Sequence, residues 1–277
     1  MNTLSQHKKG EALEALHQRS GVFVIANAWD AGSARGLTAM GFEAIATTSA
    51  GLANSKGKPD GEGVLTREET FGNVAEIIHA TSLPVSADLE NGYGDDPEDC
   101  YATILEGAAL GLVGGSIEDA TGSPGDPIYE FKHAVERVRA AVKAARSLPF
   151  TFTLTARAEN LIHGRPDLKD TINRLVAYAE AGADVLFAPG LSSREDIEAV
   201  VRAVAPKPVN VVVGLGITGF SLKDFEAMGV KRISLGSSLA RAAFTGFYQA
   251  AEEIRQSGTF GYNAASLSYG KINDMMR

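Results

Sequence analysis

The sequence predicts an α/β chain folded as one (β/α)8 TIM barrel over residues 1–277, on three observations. Eight short apolar runs alternate with longer amphipathic stretches, the pattern of a parallel sheet covered by helices, and eight such units are enough to close it. Several stretches end in glycine just before the next run, as in AMGFEAI, EAGADVLF and EAMGVKRISL, where a left-handed residue stops a helix. The length, 277 residues, matches the roughly 250 that such a barrel needs. An open doubly wound sheet is the other fold this alternation permits.

Taken in order, MNTLSQHKKGEALEALHQ is polar and amphipathic and reads as a helix ending near Arg19. The first strand, 22–26, is followed by Asn27, Trp29 and Asp30 and by a helix over 31–40. The second, 44–48, runs into Ser49, Ala50 and Gly51, with the next helix at 67–80. The third, 84–88, leads to a helix over 97–107; the fourth, 114–118, opens a Gly- and Pro-rich loop at 119–129 before a helix over 132–146. The fifth, 152–157, ends in Arg157 with Glu159 beyond it, then a helix over 168–182. Strands at 185–189, 208–213 and 232–236 alternate with helices at 193–204, 221–228 and 237–257. A polar tail, 259–277, completes the chain and suits either a mobile end or one draped over a neighbour.

Lys and Arg number 26 against 34 Asp and Glu, a net charge of -8, which argues against nucleic acid and anionic membranes as partners. Cys100 is the single cysteine, so neither an intrachain disulfide nor a cysteine metal cluster is available, as suits a cytoplasmic protein. No stretch approaches the ~18 apolar residues of a membrane span.

The densest chemistry lies in VSADLENGYG at the end of the third strand. Side chains two apart on a strand share a face, so Asp88 and Glu90 are expected to project together, and paired acids suit a hard divalent cation. The alternative is an acidic strand end in a solvated turn. Since barrel sites gather at the C-terminal strand ends, Glu118, Arg157 and Glu159 belong to the same mouth.

Together ADLENGYG, GGSIEDATG, TARAEN and TTSAGLANSKGKPDG resemble the isocitrate lyase/phosphoenolpyruvate mutase superfamily, in order and over nearly the whole chain. The resemblance implies a barrel whose last helix is swapped between subunits of a homo-oligomeric dimer or tetramer. It also implies Mg²⁺, or Mn²⁺, and chemistry on small 2-oxo acids or their enolates that breaks or forms C–C or P–C bonds. By position it assigns Asp88, Glu90 and Glu118 to the metal, Arg157 to the substrate carboxylate, and Ser49, Ala50 and Gly51 to an oxyanion-binding turn. Asp60, in GKPDG, matches an acid near the reacting centre.

Departures narrow the expectation. Glu90 and Glu159 stand where the superfamily usually has Asp, each one methylene longer. The Lys-Lys-Cys-Gly-His signature of the isocitrate and methylisocitrate lyases is absent, the fourth-strand loop reading DATGSPGDPIYE, and FAPGL puts Pro189 and Gly190 where those lyases carry a glutamate. The lysine and histidine of phosphoenolpyruvate mutase are missing too. Asn210 is a candidate donor to substrate or a barrel hydrogen bond; Arg157 is a carboxylate clamp or an ion pair of Glu118 or Glu159. The 119–129 loop is a candidate lid offering Asp126 and Tyr129 as proton donors, and GLGITG with LGSSLAR a weak phosphate cradle. The expected function is a Mg²⁺-dependent lyase or decarboxylase of a small 2-oxo or 2-hydroxy acid. P–C bond chemistry of the phosphoenolpyruvate mutase or phosphonopyruvate hydrolase kind, and a non-catalytic oxo-acid binding barrel, are the alternatives.

Overall fold

The computed structural model describes residues 3–277 other than 62, 215, 216 and 218. In chain order the elements are α1 (Thr3–Gln18), β1 (Phe23–Ala28), α2 (Ala31–Ala39), β2 (Ile45–Thr47), α3 (Ser49–Ser55), α4 (Arg67–Ala80) and β3 (Val85–Asp88). There follow α5 (Pro97–Leu110), β4 (Gly114–Glu118), α6 (Phe131–Ser147), β5 (Thr153–Arg157), α7 (Leu168–Glu180) and β6 (Val185–Phe187). The chain closes with α8 (Arg194–Val204), β7 (Val209–Val212), α9 (Leu222–Ala227), β8 (Arg232–Ser234), α10 (Ser238–Ser257), a 3-10 turn (Gly261–Ala265) and α11 (Tyr269–Met275). Every strand pairs in parallel with the next, and β8 pairs back onto β1, so the expected barrel is closed.

Period-two alternation decides what each strand residue does. Ala87, Leu154, Ala156, Leu186, Val211 and Ile233 face outward into the helix layer. Their neighbours Ser86, Asp88, Ser116, Arg157, Asn210 and Arg232 line the barrel interior. Helix starts are fixed locally: Asp30, Thr66 and Ser221 each cap a helix through reciprocal bonds with the residue three positions on.

One helix at the barrel mouth escaped the sequence reading. Ser49, Ala50 and Gly51, expected as a turn, are the first turn of α3, because Thr48 is extended and its hydroxyl accepts the Gly51 N–H at 3.3 Å. A side chain at Gly51 has no room: a Cβ there would lie 2.7 Å from Thr48 Cγ2 and 2.9 Å from Trp29 Cβ.

The floor of the barrel is closed by α1, whose Leu13 and Leu16 pack on Phe23, Ile25, Ala44 and Val113. Gln6 fastens this helix by donating to the Ala108 and Leu112 carbonyls at 2.7 and 3.0 Å. His17 is buried, donates through Nδ1 to the Leu13 carbonyl at 2.8 Å, and turns Nε2 toward Arg232. Burial first, then the Arg232 charge, pushes its pKa from 6.5 down to about 3. Below the unfolded value the unfolded chain binds a proton that the folded chain refuses, so stability falls as the pH drops from 6.5 toward 3. Between pH 7.5 and 5 the wild type is expected to lose about 2 kcal/mol more than His17→Gln. Guanidinium denaturation at the two pH values measures it; equal losses would mean that His17 charges without cost.

At the other end, α10 buries none of its residues, and Phe244, Phe247 and Tyr248 remain exposed. The tail returns to its own barrel: Arg35 on α2 donates to the Met276 carbonyl at 2.9 Å.

Candidate active site

Arg157, at the end of β5, is the centre of the barrel mouth. Its Nη1 lies 2.8 Å from Asp88 Oδ1, its Nη2 3.0 Å from Glu118 Oε2 and its Nε 2.8 Å from Glu159 Oε1. Strand register brings these together: Glu118 pairs with Arg157, and Asp88 pairs with Ser116, two residues before Glu118, so three successive strands present acids and arginine at adjoining inward positions. The guanidinium also lies 5.2 Å from the Phe187 ring centroid. Ser49 at the start of α3 donates its hydroxyl to Asp88 Oδ2 at 2.9 Å, and its N–H lies 3.4 Å from the same oxygen.

Glu90 does not share a strand face with Asp88. The strand stops at Asp88, Leu89 is fully buried in the helix layer with Ala87, and Glu90 is left-handed at φ 47. Tyr93 is left-handed as well, at φ 62. Two non-glycine residues held there, at about 1–3 kcal/mol each, mark a turn shaped by something other than local preference. The charge of Asp88 nevertheless acts on Glu90.

Five carboxylates, Asp60, Asp88, Glu90, Glu118 and Glu159, surround this one arginine. Burial, then Asp88 and Asp60, push Glu90 up to about 7. Burial raises Glu118 and Glu159 against the pull of Arg157. Burial and Asp88 raise Asp60, which stands at the rim. Burial opposes the charge on Arg157, but Glu159, Glu118 and Asp88 outweigh it and keep the guanidinium protonated. The surplus of negative charge fits a hard divalent cation, and the donors are all carboxylate oxygen. Among the described residues, however, no three such groups stand in a ready-made metal cluster, because Arg157 fills the space between Asp88 and Glu118.

Arg157 separates two hollows. An outer one of about 650 Å³ lies under the loops after β2 to β5, and an inner one of about 240 Å³ descends into the barrel. Ser49 and Asp60 border both.

The remaining expected residues are placed as follows. Asn210 sits below the mouth with both amide ends occupied: Nδ2 donates to Ser234 Oγ and Oδ1 accepts from Arg232 Nε, each at 2.9 Å. One N–H of the amide is thus used inside the barrel, and the residue also lines the inner hollow. Tyr129 turns outward and donates to Asp95 at 2.6 Å, while Asp126 pairs with Arg165 on the surface, so neither loop residue faces the acids. Asp119, at the base of that loop, is buried and accepts from the Glu159 N–H, Arg174 and Tyr178 at 2.8, 3.0 and 2.6 Å. His163 Nε2 stands 3.9 Å from Glu159, and Cys100 is buried with its thiol pushed up to about 11 by burial. Residues 215, 216 and 218 of the expected phosphate cradle lie outside the described residues. In its second half the Leu235 and Gly236 N–H groups already donate to Asn27 Oδ1, at 2.8 and 3.0 Å.

The sequence reading passed over Arg232, which lines the inner hollow. Its signal was a charged residue inside an apolar strand, KRISL, at an inward position.

Comparison with known proteins gives the family of the chain. Residues 13–255 match the family model for phosphoenolpyruvate phosphomutase, a span that contains all eight strands. The structure of a candidate lyase/mutase of Burkholderia cenocepacia J2315 superposes with a TM-score of 0.95 at 54% identity, covering 98% of this chain and 96% of that one. The uncharacterised protein Rv1998c of Mycobacterium tuberculosis (strain ATCC 25618 / H37Rv) is 34% identical over 260 residues, 93% of each chain. The 2-methylisocitrate lyase of Escherichia coli (strain K12) is 28% identical over 270 residues, 92% of this chain and 88% of its own. With the acids and arginine converging at the barrel mouth and the family match running from the floor helix to α10, the chain belongs to the phosphoenolpyruvate phosphomutase family, within the isocitrate lyase/phosphoenolpyruvate mutase superfamily.

Proposed function

We propose that this chain is a Mg²⁺-dependent lyase or decarboxylase that cleaves a C–C bond of a small 2-oxo or 2-hydroxy acid. The observation that carries the reading is the surplus of carboxylate over positive charge around Arg157. Asp88, Glu90 and Glu118 would hold the ion, whose chemistry is to stabilise negative charge building on the substrate's 2-oxo oxygen. Arg157 offers a planar fork to the substrate carboxylate, exchanging one of its present carboxylate partners for it. Ser49 keeps Asp88 oriented. Asp60, on the rim of both hollows with its pKa raised, is placed to hold the proton that the reacting carbon gains or loses. The inner hollow suits a small acid better than a drug-sized ligand. The lone cysteine and the uncovered apolar face of α10 fit a cytoplasmic homo-oligomer, and no helix among the described residues is long and apolar enough to cross a membrane.

Thermal shift with oxalate, an isostere of the pyruvate enolate, tests the reading with and without Mg²⁺. The expected result is stabilisation that requires both, about 3 kcal/mol at a hundredfold excess over Kd. Pyruvate release from a 2-oxo or 2-hydroxy diacid should accompany it. Equal stabilisation without Mg²⁺ would remove the metal from the reading, and binding without turnover of any oxo acid would leave a binding barrel.

A further inference from the structure

The barrel interior beneath the acids is polar and hollow. Two residues before Asp88, Glu118 and Arg157 stand Ser86, Ser116 and Thr155, where such barrels ordinarily stack Val, Ile or Leu. These short side chains leave the cavity of about 240 Å³ that runs from Ser49, Asp88 and Arg157 down to Arg232.

Arg232 is 5% exposed, and its partners are all neutral. Nε donates to Asn210 Oδ1 and Nη2 to Thr155 Oγ1, both at 2.9 Å, and Nη1 lies 3.5 Å from Nε2 of an uncharged His17. Of the other buried arginines, Arg157 meets three carboxylates and Arg174 meets Asp119 and Asp170, while Arg137 meets the backbone carbonyls of Asn91 and Asp95 and the Tyr129 ring and lines neither hollow. No carboxylate among the described residues pairs with Arg232, and burial alone pushes its pKa down to about 9. A guanidinium carries five N–H groups, so two remain after these three contacts. A neutral amide could bridge Thr155, Asn210 and His17 without burying a charge. A lone buried cation on a cavity wall is instead a place where an incoming anion restores neutrality.

We propose that Arg232, braced by Asn210 and Thr155, is a carboxylate subsite on the floor of the active-site cavity, taking the second carboxylate of a 2-oxo or 2-hydroxy dicarboxylic acid whose first is held at Arg157. This names the substrate class and rests on the proposed function. Thr155 lies two residues below Arg157, about 7 Å along the strand. Because Arg232 bonds Thr155, its head group occupies that lower level. The two arginines therefore bracket a space that a four-carbon diacid spans and a three-carbon monoacid does not.

Titration calorimetry of the full chain with Mg²⁺ tests it, using oxalate, lactate and both enantiomers of malate. The wild type is expected to bind oxalate and to prefer one malate over lactate by about tenfold or more. Arg232→Met should erase that preference while leaving oxalate affinity within about twofold, and Arg232→Lys should restore part of it. A folded Arg232→Met that keeps the preference overturns the subsite, as does a wild type that binds oxalate but treats malate and lactate alike. Should the methionine variant fail to fold, the wild-type ratio and the lysine variant decide. Acetate that binds alongside oxalate and depends on Arg232 would make this a free-anion site and overturn the spanning assignment. A wild type indifferent to oxalate fails earlier, at the proposed function itself, and takes the subsite with it.

Discussion

Asp88→Asn is expected to lower kcat/KM by about 10³-fold while moving Tm by only a few degrees. The substitution preserves shape and volume but removes the charge. In the wild type, Oδ1 accepts from Arg157 at 2.8 Å and Oδ2 from the Ser49 hydroxyl at 2.9 Å. An amide can satisfy only one of these donors as an acceptor and sets its own NH₂ against the other. Arg157 keeps Glu118 and Glu159, so the fold retains its buried ion pairs. What disappears is a carboxylate for a cation and the hold on Ser49. The stabilisation by Mg²⁺ and oxalate together should vanish with the activity, because both readouts need the same oxygen. Activity within tenfold of wild type, with the oxalate shift intact, would move the reacting centre away from β3.

The largest expected effect on stability belongs to a residue outside the mouth. Arg174→Met on α7 should destabilise the chain by about 3–5 kcal/mol, since it leaves a buried carboxylate without its counter-charge. Asp119 is 3% exposed and takes bonds from Arg174, Tyr178 and the Glu159 backbone. Burial raises Asp119, and its hydrogen bonds and Arg174 work against that rise. With the arginine gone, the acid must either protonate or draw water into a dry layer. At about 2–4 °C per kcal/mol for a domain of this size, Tm should fall by roughly 10 °C. Guanidinium midpoints and the melt measure it together. Because Asp119 also holds the Glu159 N–H, kcat/KM should fall as well, through a displaced partner of Arg157. A loss below about 1 kcal/mol would show that Tyr178 and backbone suffice for Asp119.

Much of this was legible in the chain. Alternating apolar runs and glycine stops are local signals, read within a few positions of where they act, and they predicted all eight strands and the closed sheet. The same periodicity put Asp88, Glu118 and Arg157 at strand ends, and register then brought them together. Local signals failed where a neighbour overrides local preference. Asp88 and Glu90 were expected on one face, but the strand ends between them and Glu90 turns left-handed. The segment Ser49, Ala50 and Gly51 reads as a turn because small polar residues favour turns, yet Thr48 caps it and Trp29 packs against it as a helix.

Composition and periodicity alone determined the architecture, since burying an apolar face every second or every third to fourth residue leaves few ways to fold. Only the tertiary structure decided which charges meet. Asp119 finds Arg174 55 positions away, Arg157 finds Asp88 69 positions away, and Arg232 reaches Thr155 and His17 from 77 and 215 positions off without finding an acid among the described residues. Pairing and desolvation depend on distance through space, and sequence separation carries no record of that distance until the barrel closes.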